Sequence, residues 1–286
     1  MPSILRLGLC QTACPVQPGE GPREVQARAM AARLEQVEAA VRVGVQLLCF
    51  PELSALPFFP GGPDRRWREC ALPAEALAPV ARAAGLHRCV LVYPFLELGH
   101  GERVYSSVAV FDADGRALGV TRRQHIAPGE EADLDPGTGS FPVFTTAAGL
   151  LGVVPGLDRN LPEVARILGL RGAELILFLA AATADLPRAV WEAEPIAVAA
   201  QNLLWVAACN RVGVERLEGP DGATHREFSG GSFVADPRGR FHAHASRDQA
   251  ALVRADVPLG RLRQERAQHP PQALRRPGLY HFLVEP

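Results

Sequence analysis

The apolar positions of this chain fall into short runs separated by polar corners rich in Gly and Pro, and the runs switch between two periods. Residues 4–10 alternate weakly and predict a first strand. After Pro22, the residues Met30, Leu34, Val37 and Val41 keep helical spacing, and Gly44 closes the helix they predict. Residues 45–50 are a short apolar run, read as a second strand that Pro51 and Glu52 end. The loop LSALPFFPGGP (53–63) follows, and then a helix over about 64–84 with a break at Pro73. Residues 89–95 predict a third strand. Segments 105–111 and 117–122 flank DADG and predict a hairpin, and 141–145 with 149–154 predict another.

Residues 151–173 read as a buried strand running into a helix through a polar corner. Leu151, Val153 and Val154 suit a strand covered on both faces. Asp158 and Asn160 are turn and cap residues, Pro162 is tolerated early in a helix, and Val164, Ile167, Leu168 and Leu170 keep a helical stripe. In α/β sheets ligands bind outside the carboxyl ends of strands, so this corner is a natural place for chemistry. It holds Pro155, Gly156 and Leu157, and no Cys, Ser or Thr occurs anywhere from 149 to 171. A strand at 175–179, a helix at 188–202 with a kink or a break at Pro195, and a strand at 203–209 come next. Residues 215–231 read as a polar loop, 232–235 and 251–257 as strands around an exposed turn at DPRGR, and 258–266 as a last helix. The pattern predicts an α/β protein with a mixed sheet, or two sheets, enclosed by helices.

Composition narrows the classes. A chain of 286 residues can bury a sizeable core as one large α/β domain or two small ones. With 30 basic and 31 acidic residues, nothing suggests an electrostatic grip on nucleic acid or on an anionic membrane. Every basic residue is arginine; lysine is absent. The six cysteines include no C-x-x-C pair, and Cys49, Cys89 and Cys209 lie in apolar runs as small buried hydrophobes would. His242 and His244 can share one face of a strand but have no third partner in view, so they read as a solvated face and no metal is expected. Gly230 and Gly231 lie in SGGS, which is not a phosphate-binding loop, and no cofactor is expected. The N-terminus reads as a strand and not a signal peptide, and the apolar runs at 147–157 and 175–184 fall short of the roughly 18 residues of a spanning helix. These features predict a soluble, cytoplasmic protein.

Five stretches together carry a family resemblance: LCFPEL (48–53), GVTRRQHI (119–126), GVVPGLDRNLPE (152–163), ELILFLAAA (174–182) and ACNRVGVE (208–215). They resemble the nitrilase superfamily of carbon–nitrogen hydrolases. That resemblance implies a four-layer α-β-β-α sandwich and a catalytic set of glutamate, lysine and cysteine. Placed without gaps, the glutamate falls on Glu52, the lysine on Arg123 and the cysteine on Gly156, while Asp158 keeps the aspartate that follows the cysteine. A second family glutamate, ahead of the turn Pro136-Gly137, falls on Glu130, with Glu131 as a one-residue alternative. His125 follows Arg123 as in the family, in a supporting position. Glu52 also reads as a salt-bridged strand-end carboxylate.

Two catalytic positions therefore carry other residues. Arginine keeps the charge of lysine but is planar and larger. Glycine cannot form the thioester that acyl transfer by this family requires. The resemblance implies a member that lacks amidase and nitrilase activity, a pseudoenzyme keeping a pocket for a small-molecule ligand or a scaffold or regulatory role. The alternative is an active hydrolase of a small amide or carbamoyl compound by a non-thiol mechanism, with Glu52 as base and Arg123 as electrophile. A third reading brings another cysteine, such as Cys49, into the site. The resemblance further implies a homodimer or higher oligomer. Residues 1–265 are expected to form one domain, and the Pro-rich tail 266–286 to pack at an oligomer interface.

Overall fold

A computed structural model describes residues 2–17, 19–219, 222–270 and 272–283. Strand β1 (Leu5–Gln11) leads to helix α1 (Pro22–Arg42), which starts where the Glu24 carboxylate accepts the Gly21 N–H at 2.9 Å. Strand β2 (Leu47–Cys49), helix α2 (Ala78–His87) and strands β3 (Val90–Leu98), β4 (Val104–Phe111) and β5 (Ala117–Arg122) complete the first half. The second half begins with β6 (Val143–Thr146) and β7 (Gly149–Pro155). Helix α3 (Pro162–Leu170), β8 (Leu175–Leu179), α4 (Arg188–Asn202) and β9 (Trp205–Cys209) follow. A hairpin of β10 (Val212–Leu217) and β11 (Thr224–Ser229) precedes β12 (Phe233–Ala235), β13 (Phe241–His244), β14 (Ala251–Val257) and helix α5 (Leu259–Gln268).

The two six-stranded sheets have matching logic. One runs β14-β1-β2-β3-β4-β5, the other β13-β12-β9-β8-β7-β6. In each, three parallel strands lie at the centre and antiparallel strands flank them. The period of two along each strand sorts the core into layers. Leu47 and Cys49 join Leu5, Leu7, Leu9, Val153, Leu175 and Leu177 between the sheets. Leu48 and Phe50 face outward with Val37, Leu77 and Val80 of the first helical layer, and Ile176 and Phe178 face outward with Val164, Leu168 and Trp191 of the second. The result is the expected α-β-β-α sandwich. Strands covered on both faces explain why 175–179 is apolar at every position.

Three local expectations are corrected. The segment 64–84 is not one helix: two short 3-10 turns, Arg65–Cys70 and Ala74–Leu77, precede α2. Pro73 lacks a donor, and Leu72 instead gives its N–H to Leu96 O at 2.9 Å beside β3. Helix α4 runs unbroken through Pro195. The polar loop expected over 215–231 is largely the β10–β11 hairpin, whose inward positions include a buried carboxylate, Glu215, in place of an apolar residue. His242 and His244 lie exposed on β13. Among the described residues no helix is long and apolar enough to cross a membrane, and no group of three or more His, Cys, Asp or Glu is placed to hold a metal ion.

Candidate active site

The chain positions Glu52, Arg123, Glu130 and Gly156 at one place, outside the carboxyl ends of β2, β5 and β7. Glu52 and Arg123 are 2% and 1% exposed, so their charges are out of water and need partners. Arg123 Nη1 donates to Glu52 Oε1 at 3.1 Å, and its Nη2 donates to Glu130. Its Nε donates to His125 O at 2.9 Å. Ser106 Oγ donates to the same Glu52 oxygen at 2.7 Å. A single guanidinium therefore bridges two carboxylates. Glu131 points away, accepting the exposed Gly129 N–H at 2.6 Å, and Glu130 is the one of the two that faces Arg123.

This sharing explains why the two partners of the pair shift unequally. Burial pushes the Glu52 carboxyl above its ordinary range, and Arg123 and Ser106 only partly offset this. Burial also works against the charge on Arg123, but Glu52 and Glu130 outweigh it and hold the guanidinium above its usual value. Arg123 has two anions and Glu52 half a cation, so both directions follow from the geometry.

Gly156 forms the elbow between β7 and the 3-10 turn that leads to α3, with φ +53°. A sharp strand-to-helix turn of this kind presents a nucleophile in hydrolases. Here a Cβ built on Gly156 would lie 2.7 Å from both Glu52 carboxylate oxygens and 2.8 Å from Arg123 Cδ. The acid–cation pair thus fills the space a nucleophile's side chain would need. Asp158, fully buried, ties the elbow to the Arg123 segment: it accepts from Gln124 N at 3.0 Å, His125 N at 2.9 Å and His125 Nδ1 at 2.8 Å. The His125 ring is otherwise half exposed, which fits support of local structure.

A pocket of about 220 Å³ remains over this constellation. Phe58, Leu157, Ala181 and Thr183 give it an apolar wall with one hydroxyl, and Arg159 adds a second cation. Arg159 is ion-paired with Glu194 and stacks 5.1 Å from the Trp191 ring centroid. Sequence reading missed Arg159, Phe58 and Thr183. It also missed what holds Glu52 in place. Arg211, buried in β10's approach, donates to Glu52 O at 3.0 Å and Leu53 O at 2.5 Å, and also to Leu56 O. Its ion-pair partner Glu215 accepts Cys14 N at 3.0 Å and Phe58 N at 2.7 Å. Both lie in the stretch ACNRVGVE, where two charges inside an apolar context were the available signal.

Comparison with known proteins agrees with this architecture. Residues 8–267 match the family model of carbon-nitrogen hydrolase. The chain is 31% identical over 262 residues to an N-carbamoylputrescine amidase of Solanum lycopersicum, covering 87% of each chain. It is 30% identical over 268 residues to a citrullinase of Francisella tularensis, covering 88% of this chain and 92% of that one. A carbon-nitrogen hydrolase structure from Helicobacter pylori superposes with a TM-score of 0.87 at 26% identity, over 99% of each chain.

Proposed function

The chain belongs to the carbon–nitrogen hydrolase family, and we propose that its pocket binds a small amide or carbamoyl compound without cleaving it through a thiol. The elbow at Gly156 carries this reading. It has no side chain, and the Glu52–Arg123 pair stands where a nucleophile would project. Among the described residues no cysteine lines the pocket. All six are buried, and Cys49, next in sequence, turns its Sγ toward Gly8 O at 3.8 Å between the sheets. What the pocket keeps suits recognition. Carboxylate oxygens of Glu52 and Glu130 can accept the N–H groups of an amide or urea, and the guanidinium groups can donate to its carbonyl. The relatives named for N-carbamoylputrescine and citrulline support a ureido ligand class.

A second reading keeps hydrolysis, with Glu52 activating a water and Arg123 stabilising the oxyanion. The relatives are named as hydrolases, and the upward shift of Glu52 suits a general base. Ammonia release from a panel of simple amides, ureas and nitriles separates the two. The binding reading expects background rates for the purified protein, and turnover sensitive to iodoacetamide would sink it by revealing a working thiol. We further propose a cytoplasmic homodimer, supported by six free cysteines and by the exposed apolar residues Leu274, Leu279 and Phe282 of the tail. Light scattering at micromolar concentration tests the assembly; a monomer would refute it.

A further inference from the structure

The turn DPRGR (236–240) walls a second groove, at the opposite end of the sandwich from Gly156. There β12 ends beside the start of β9, and β14 ends beside the start of β1, so the groove lies at the amino ends of the parallel strands. It has a volume of about 410 Å³, against about 220 Å³ over Gly156. Part of its lining is apolar: Trp205 and Leu262 are 4% and 1% exposed, and Pro237 and Pro258 join them. The His242 ring meets Trp205 edge-on with centroids 5.1 Å apart, and its Nε2 donates to Asp256 O at 2.8 Å.

Three guanidinium groups stand on this groove, Arg238 and Arg240 from the turn and Arg261 from α5, against two carboxylates, Asp236 and Glu265. The carboxylates engage them loosely. One oxygen of Glu265 serves both Arg238 Nη2 and Arg261 Nε, each at 3.3 Å. Asp236 Oδ1 accepts the backbone N–H groups of Arg238 and Arg240 at 2.8 and 3.0 Å, and Oδ2 stands 4.0 Å from Arg240 Nε. Arg240 thus has an acid only at the limit of ion-pair reach. Elsewhere arginines fork both oxygens of an acid: Arg122 grips Glu97 at 2.7 and 2.6 Å, and Arg66 grips Asp64 at 2.9 Å twice. A guanidinium carries its N–H donors in a fixed fork, so most donors at the groove are left for solvent or a ligand. The excess of cations and the positive dipole end of α5 both favour an anion here.

We propose that this groove is a second ligand site, which takes a phosphomonoester bearing a flat ring, of the size of a mononucleotide. One fork satisfies a carboxylate, whereas a phosphate presents three terminal oxygens to guanidinium groups arriving from the turn and from α5. The ring lies against the lining at Trp205, His242 and Pro258, where apolar and aromatic faces replace water. The volume matches a small-molecule site and exceeds what an inorganic anion needs. The groove shares no lining residue with the pocket over Gly156, so this inference is independent of the binding reading above.

Calorimetry on the full chain with adenosine monophosphate, adenosine and ribose 5-phosphate tests this. The nucleotide is expected to bind at least about tenfold more tightly than either fragment. Arg240→Gln combined with Arg261→Gln should weaken it at least about tenfold. Both side chains are 67% exposed, so their loss leaves the core intact, and thermal melts establish that the variant is folded. Arg116→Gln, equally exposed on the β4–β5 turn, should leave the affinity within about twofold. The inference is overturned if the nucleotide gives no saturable heat, or if its affinity survives the double variant. Adenosine binding as tightly as the nucleotide would show that no phosphate is held, and ribose 5-phosphate binding as tightly would show that no ring is held. An equal loss in Arg116→Gln would reduce the effect to overall charge. Each of these results also overturns the inference.

Discussion

At the scale of single residues, the site is governed by one cation between two acids. Replacing Arg123 with Met leaves Glu52 and Glu130 buried without it, and Glu52, already raised by burial, rises further. A carboxyl whose pKa is raised on folding stabilises at low pH and costs stability as pH climbs from its ordinary value through the raised one. Arg123→Met is therefore expected to melt close to wild type near about pH 4 and to lose about 3–5 kcal/mol at neutral pH. Denaturant titrations across that range check the slope; a deficit independent of pH would show that Glu52 carries no charge in the fold. Gly156→Cys meets two obstacles, a φ of +53° and a Cβ 2.7 Å from both Glu52 oxygens. It should cost about 1–3 kcal/mol and create no amidase. Robust hydrolysis by this variant alone would show a site still poised for catalysis. The sequence exposed these positions only through their motif neighbours. That Arg123 would hold Glu130 as well as Glu52 depended on a turn, 127–130, whose path the residues do not encode in any period.

At the scale of elements, the strands covered on both faces were the most legible. Residues 175–179 and 251–257 begin and end where the apolar pattern places them, because burial on both faces, or on alternate ones, leaves a strong signal. The β10–β11 hairpin was not legible. Its inward positions mix the apolar Val212, Leu217 and Phe228 with Glu215, which makes an ion pair with Arg211. That pair fastens the turn 52–58, taking carbonyls of Glu52, Leu53 and Leu56 and the N–H of Phe58. The turn needs fastening, since Leu53 sits at φ +49°. Arg211→Met should cost about 3–5 kcal/mol by leaving Glu215 buried without its cation. Hydrogen exchange should then rise selectively at Cys14 and Phe58, the amides that Glu215 holds. Unchanged protection at both would mean that the turn is held by other contacts, such as those of Arg33 to Ser54 O at 2.8 and 3.0 Å.

At the scale of the whole molecule, two sheets of like order face each other over a shared apolar core, and the ends of their parallel strands meet at the pocket. The pattern alone left one mixed sheet or two; the family motifs, spread along most of the chain, made the sandwich legible. What the molecule does with its pocket is the central question, because the scaffold of a hydrolase surrounds an elbow with no side chain. The most direct measurement follows binding and cleavage in one sample. Wild-type protein is titrated with ureidopropionate in a calorimeter, and the same mixture is then assayed for ammonia over many hours. A saturable heat with ammonia at the level of the protein-free control is the predicted result. Sustained ammonia release above that control, abolished by denaturing the protein, would contradict the account and make this chain a working hydrolase without a cysteine at its elbow.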